Sequence, residues 1–368
     1  MAAKKAMSVM ESPPGAVTVI DGKRCIYFGG TGYFGLQGHP GLIRAGIEAF
    51  RSFGTHSATS RAGFGNNPAL AAVETRLREF FGTAEAAYFG SGYLSLLILA
   101  QALKAEFDAV FIDEAAHVSV VDAAASVKKP VFPFRHRDPG DLEARLRKKL
   151  RPGWRPLVMT DGVFPVYGKI APLPEYVRTL APCRGLLAVD DAHGAGVLGP
   201  NGRGVREHFG LPPEAAHLAG TLSKAFGGHG GFIVGGRKLI ASVRKQNAYL
   251  GSTPTPTPVA AAAAKGIEIL GSHPEMRARL RRNAALAKAG LRKIGVEADD
   301  TPVPIAAWSL RTNAAMEKIQ RALFDRGIAI ALMKYPGTPP QGVLRITVFS
   351  THTTAQIEQL IDGLRRTL

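Results

Sequence analysis

The chain has 368 residues, 46% of them hydrophobic, enough to bury a large core and to build two domains. Its formal charge is +17, from 46 Lys and Arg against 29 Asp and Glu, which raises nucleic acid as a partner. The basic residues are spread over helical stretches such as Leu142–Arg151 and Arg277–Arg282 without interleaved aromatics, so no nucleic-acid partner is expected and attraction of an anionic substrate is the simpler use. No apolar run nears the roughly 20 residues of a membrane span, and the apolar stretch at Met7–Met10 is too short for a signal peptide. Cys25 and Cys183 lie far apart with no other metal ligand beside them; they read as reduced thiols of a cytoplasmic protein, and no metal site is expected.

In chain order, Val17–Ile20, Asp21-Gly22 and Arg24–Phe28 read as a hairpin about a two-residue turn. Helical patterns follow at about 40–53 and 67–81. Short apolar runs then alternate with helix-length segments: Ala86–Phe89, Ala109–Ile112, Val131–Phe134, Leu157–Thr160, Leu186–Val189, His217–Gly220 and Phe232–Val234. That rhythm predicts a mainly parallel sheet sandwiched by helices, an α/β fold. Pro254, Pro256 and Pro258 break the chain before an alanine-rich helix, and a long basic helix covers about 274–294. The last 70 or so residues read strand, helix, strand, strand, helix, a smaller C-terminal α+β domain. The expected division is an N-terminal segment 1–40, a large domain 41–280 and a small domain 281–368.

Three segments, each at the C-terminal end of a predicted strand, carry chemistry; ligands of open parallel sheets bind at that edge. In Asp190-Asp191-Ala192-His193-Gly194 at least one carboxylate reaches the mouth of the sheet, where burial requires a cationic partner. A strand-end Asp capping the next turn would look the same. In Thr221-Leu222-Ser223-Lys224-Ala225 a lysine follows a strand between small and hydroxyl residues; buried, it becomes an amine nucleophile for a carbonyl. Read alone, it fits a surface charge as well. Gly90-Ser91-Gly92-Tyr93 opens a helix after a strand, where backbone amides make an anion site. An anion site, a carboxylate and an amine at one sheet edge point to pyridoxal phosphate.

These residues resemble the fold-type I pyridoxal-phosphate enzymes, and within them the α-oxoamine synthases, over about Tyr27–Leu368. The motifs are 190–196 with Gly199 and Gly202-Arg203-Gly204, 221–227, Tyr33-Phe34-Gly35-Leu36 with His39-Pro40, and Leu344-Arg345-Ile346-Thr347 with Thr351-His352-Thr353. The resemblance implies that Lys224 carries the cofactor and shuttles the substrate α-proton. It further implies that Asp190 pairs with the pyridine nitrogen, His117 stacks on the ring and His193 contacts the phenolic oxygen. Ser91, Gly92, Tyr93 and Thr221 would hold the phosphate, with Thr253 or Thr255 of a partner subunit in a homodimer. Arg345 would bind the amino-acid carboxylate, a task suited to a guanidinium, and Thr338 would touch substrate. The implied reaction joins an amino acid to an acyl thioester such as acyl-CoA, with decarboxylation, giving an α-amino ketone.

Departures fall on the substrate side. Thr31 stands where the family has a substrate-contacting asparagine, Ala58-Thr59 where it has a glycine pair, Asp161 where it has a glutamate and Pro165 where it has a serine. The N-terminal extension, which binds acyl substrates in some members, is short. A different pyridoxal-phosphate reaction on the same scaffold (decarboxylation, aldol cleavage, racemisation or transamination) would use the same Lys224 and Asp190, so that alternative stays open.

Overall fold

A computed structural model describes residues 7–368; the first six residues of the expected 1–40 segment lie outside it. The chain enters through a hairpin, β1 (Val17–Ile20) and β2 (Lys23–Tyr27), turned by Asp21 and Gly22, both at positive φ (49° and 73°) as a two-residue turn of this hand requires. Two proline-started helices follow, α1 (Pro40–Phe53) and α2 (Pro68–Phe81), capped by the His39 ring and the Asn67 side chain. The alternating section then runs β3 (Glu85–Phe89), α3 (Ser95–Ala102), β4 (Ala109–Asp113), α4 (Val118–Ser126), β5 (Val131–Phe134), α5 (Pro139–Lys149), β6 (Pro156–Asp161) and α6 (Leu173–Leu180). It continues with β7 (Leu186–Asp190), a one-turn α7 (Val205–His208), β8 (His217–Thr221), β9 (Gly231–Gly235), α8 (Arg237–Val243) and α9 (Asn247–Leu250).

Strands β3 to β9 form one seven-stranded sheet in the order β3-β9-β8-β7-β6-β4-β5. Only β9 runs against its neighbours, so the predicted mainly parallel sheet is the observed one. β4, β6 and β7 are buried along their whole length, as strands covered on both faces must be. One apolar cluster, with Val158, Val189 and Phe226, fills one side; a second, with Met159, Ala188 and Ile233, fills the other.

Helix α10 (Thr257–Ser272) packs against α1 and α2, and α11 (Pro274–Lys293) leads to β10 (Ile305–Trp308), α12 (Asn313–Asp325), β11 (Ile328–Ala329), β12 (Ala331–Met333), β13 (Val343–Thr347) and α13 (Thr354–Arg365). The second sheet is β10-β13-β12. β11 is one strand more than the expected pattern contains. It pairs in parallel with β2 (Ile328↔Ile26), binding the N-terminal hairpin to the C-terminal layer. Phe28 accordingly lies in the same apolar cluster as Leu344 and Leu360. Along α11, Met276 and Leu280 pack into the large core, whereas Ala287 and Leu291 pack into the small one.

Candidate active site

The two central strands β6 and β7 end in carboxylates that are register partners, Asp161 opposite Asp190, and both are buried. Asp190 Oδ1 accepts the Ala192 N–H (3.0 Å). Burial pushes the Asp190 carboxyl up, against the pull of the Lys224 charge. Asp161 Oδ2 accepts the backbone N–H of His117 (2.8 Å), and burial followed by repulsion from Asp190 pushes its carboxyl well up. Asp191, indistinguishable from Asp190 in the sequence, has a different task. Its Oδ2 accepts the Val205 N–H (2.9 Å), and a Cβ on Gly194 or Gly204 would lie 2.1 or 1.7 Å from its carboxylate. Asp191 thus anchors the 191–205 loop that carries His193.

Lys224 follows β8 and lines the same edge. Its Nζ is 2.7 Å from His193 Nε2, and desolvation lowers its pKa to about 8 against the attraction of Asp190 and Asp161. His193 is buried and held well below the ordinary imidazole range, first by desolvation and then by Lys224. Its Nδ1 pairs with the Tyr33 hydroxyl at 2.5 Å. The N-terminal motif therefore lies against the lysine loop, where Gln37 Nε2 also donates to the Lys224 carbonyl (3.0 Å).

His117 caps α4: its Nδ1 accepts the Ser119 N–H (3.1 Å), which leaves the Nε2 proton facing away, and burial lowers its pKa. The Tyr335 ring faces it at 5.7 Å between centroids. At the start of α3, the Gly92–Leu94 turn lies against Thr221. A Cβ on Gly92 would sit 2.5 Å from the Thr221 Cβ, so only glycine allows this approach. Thr221 Oγ1 is already tied to Ser223 and Gly230. Ser91 Oγ caps the Tyr93 N–H (3.2 Å), and the exposed Tyr93 phenol turns to Asp122. Tyr93 offers its backbone to this turn, not its hydroxyl.

Arg345 is buried in β13. Nε donates to the Pro165 carbonyl (2.8 Å) and Nη1 to Gly30 (3.2 Å) and Thr347 (2.8 Å); Nη2 has no hydrogen-bond partner among the described residues. The neighbouring Thr31 is half-buried. Two expected residues stand apart. The Thr338 hydroxyl closes its own turn with Tyr335 (3.0 and 2.8 Å). Thr255 is 3% exposed, buried within its own protomer, so its side chain is closed to a partner's site; Thr253 is exposed. Tyr33, Tyr335 and Gln37 join the site without having been singled out for it. Tyr33 had only its place in a motif as a signal.

The aminotransferase class I and II family profile matches residues 24–364, which sets the class of enzyme. Among similar proteins, 8-amino-7-oxononanoate synthase from Methylococcus capsulatus is 37% identical over 97% of this chain and 92% of its own length. The protein of that name from Cellvibrio japonicus is 36% identical over 97% and 90%. Serine palmitoyltransferase from S. paucimobilis, solved as a variant with a bound PLP–myriocin aldimine, superposes with a TM-score of 0.92 at 32% identity, over 98% of this chain and 92% of that one. The chain belongs to the α-oxoamine synthase family of fold-type I pyridoxal-phosphate enzymes.

The residues present fit that cofactor. A buried carboxylate with a neighbouring carboxylate calls for a cation such as a protonated pyridine nitrogen. The Gly92–Leu94 turn at a helix start suits a phosphate, and an amine of lowered pKa stands on the same edge.

Proposed function

We propose that this enzyme condenses an amino acid with an acyl thioester, releasing carbon dioxide and a free thiol and forming an α-amino ketone. The observation that carries the reading is one sheet edge lined by Lys224, His193, Asp190 and Asp161, with His117 and Arg345 beside it. Similarity to proteins named 8-amino-7-oxononanoate synthase and serine palmitoyltransferase supports it.

Bound pyridoxal phosphate supplies an electron sink for charge left on the substrate α-carbon. The chain does the rest. Lys224 Nζ holds the cofactor and then accepts and returns the α-proton, a role matched to an amine titrating near 8. The Asp190 carboxylate keeps a proton on the ring nitrogen, and the flat, neutral His117 ring covers one face. The Gly92 backbone amide, with Ser91, Tyr93 and Thr221 around it, holds the phosphate at the turn that opens α3. The guanidinium of Arg345, clamped by Pro165 and Gly30, offers Nη2 to the substrate carboxylate. Because the Pro165 carbonyl grips Arg345, the Pro165 departure lies directly behind that contact. Thr31, next to Gly30, is half-buried beside the same contact, whereas the Thr338 hydroxyl is engaged in its own turn.

The active site is completed in a homodimer, with exposed Thr253 reaching the partner's phosphate. The location is cytoplasmic, in keeping with two free cysteines and no described helix long and apolar enough to cross a membrane. The division near residue 280 has the support of the two cores that α11 joins, and β11 counts the N-terminal hairpin with the small domain.

The test is thiol release from acyl-CoAs of increasing length, each with glycine, alanine or serine and the cofactor-loaded enzyme. Thiol release dependent on both substrates and abolished in Lys224→Ala is expected. Amino-acid turnover with no thiol release under any pairing assigns the scaffold to one of its other reactions and overturns this reading.

A further inference from the structure

Tyr33 is fully buried, and among the described residues its hydroxyl has one hydrogen-bond partner, His193 Nδ1 at 2.5 Å. A phenylalanine would fill the same space. A buried hydroxyl is costly unless its proton finds an acceptor. Burial holds the phenol protonated and the imidazole neutral. The phenol therefore donates, Nδ1 accepts, and the ring's single proton sits on Nε2, 2.7 Å from Lys224 Nζ.

We propose that Tyr33 is a positioning residue: by fixing His193 in the Nε2–H tautomer it makes the imidazole present an N–H, not a lone pair, to the Lys224 amine. An N–H can donate to a free amine but opposes an ammonium at the same place. Without the phenol the ring can adopt the other tautomer, and an Nε2 lone pair would accept from the ammonium and favour it. With the cofactor in place, the same N–H is ready for an oxygen acceptor. The proposal goes beyond the reading above, and rests on it only in taking Lys224 as the reactive amine.

The other charges around Lys224 come from each wall of the site: Asp190 on β7, Asp161 on β6, His117 ahead of α4 and Arg345 on β13. Burial is the largest influence on the amine, the two carboxylates favour its charged form and Arg345 opposes it. None of these is hydrogen-bonded to Tyr33 Oη; Arg345 alone senses the phenol electrostatically, and because burial keeps that phenol protonated and uncharged, its loss reaches Lys224 chiefly through His193.

The experiment uses cofactor-free protein. Ring ¹⁵N–¹H correlation spectra report the His193 tautomer, and reductive methylation with formaldehyde, followed on the Lys224 peptide by mass spectrometry, gives the amine's titration midpoint. The wild type is expected to show Nε2–H and a midpoint near 8. In Tyr33→Phe the Nδ1–H form should appear and the midpoint rise by about one unit, a tenfold change in the free-amine fraction. A purely structural tyrosine would change melting temperature and leave the midpoint in place, and that result in folded Tyr33→Phe overturns the proposal. So does an Nδ1–H wild-type ring, whether or not the variant folds. A wild-type midpoint near 10.5 would instead defeat the assignment of Lys224 as the reactive amine.

Discussion

Asp161 and Asp190 face each other across β6 and β7, two buried carboxylates in register. The Asp161 pKa is raised above its ordinary 3.8 by burial and by Asp190. The native state therefore binds this proton at a pH where the unfolded chain has released it. Stability falls as pH rises from about 4 through the raised native value, and the loss persists above it. Asp161→Asn removes the titration and keeps an oxygen for the His117 N–H. Cofactor-free Asp161→Asn should melt higher than wild type at pH 8, with the gap closing toward pH 4, as scanning calorimetry across that range would record. A gap of opposite sign at pH 8 would show that the pair is not repulsive. At this scale the sequence reveals chemistry where the cue is local. Lys224 and Asp190 stand at strand ends beside small residues, so their residue types and places can be read directly. Which of Asp190 and Asp191 faces the cleft cannot be, because Asp191 is turned inward by Val205, fourteen residues on. The Tyr33–His193 contact joins residues 160 apart and leaves no local trace.

Among the elements, the strands of the large sheet are legible because each is a short, mainly apolar run between breakers, and strands β4, β6 and β7, apolar up to their last one or two residues, need no other signal. β11 is not, since two residues carry no periodicity and its partner β2 lies near the other end of the chain. The loops depend on glycines whose need is steric and visible only in three dimensions. Gly92 shows this best: its missing Cβ is what lets the α3 entry touch the β8 exit, and the proposed phosphate site lies at that junction. Gly92→Ala places a methyl 2.5 Å from Thr221 Cβ, so one of the two segments must shift. The expected result is a cofactor affinity at least about tenfold weaker by absorbance titration, roughly 1.4 kcal/mol, with far-ultraviolet circular dichroism unchanged. Wild-type affinity in this variant would remove the turn from the phosphate site. A departure from the family lies in another loop: Ala58 holds φ 53°, a left-handed conformation that its side chain disfavours.

For the whole molecule, the proposed homodimer would use the outer face of α1. Ile43, Ile47 and Phe50, at helical i, i+4, i+7 spacing, are 49%, 48% and 54% exposed, and Phe53 and Phe64 are exposed nearby. A stripe of this kind is unfavourable in water, and the proposed dimer would bury it. The inner face of α1 already packs on α10, whose Thr257 bonds to Gly54 and Thr55 at the α1 end. Any partner seated on α1 is therefore brought close to exposed Thr253, just before α10. Sedimentation velocity should give the wild type at twice its 39.1 kDa chain mass. Each protomer carries +17, so association works against repulsion that salt screens, and the dimer should tighten between 50 and 300 mM salt, as the Debye length falls from about 14 to about 6 Å. Ile47→Asp with Phe50→Glu should yield a folded monomer whose cofactor affinity falls about tenfold or more, because Thr253 of the partner is lost with the interface. A wild type that sediments as a monomer at micromolar concentration, or a double variant that still dimerises, places the contact elsewhere. A monomeric variant with unchanged cofactor affinity keeps the interface and removes Thr253 from the site.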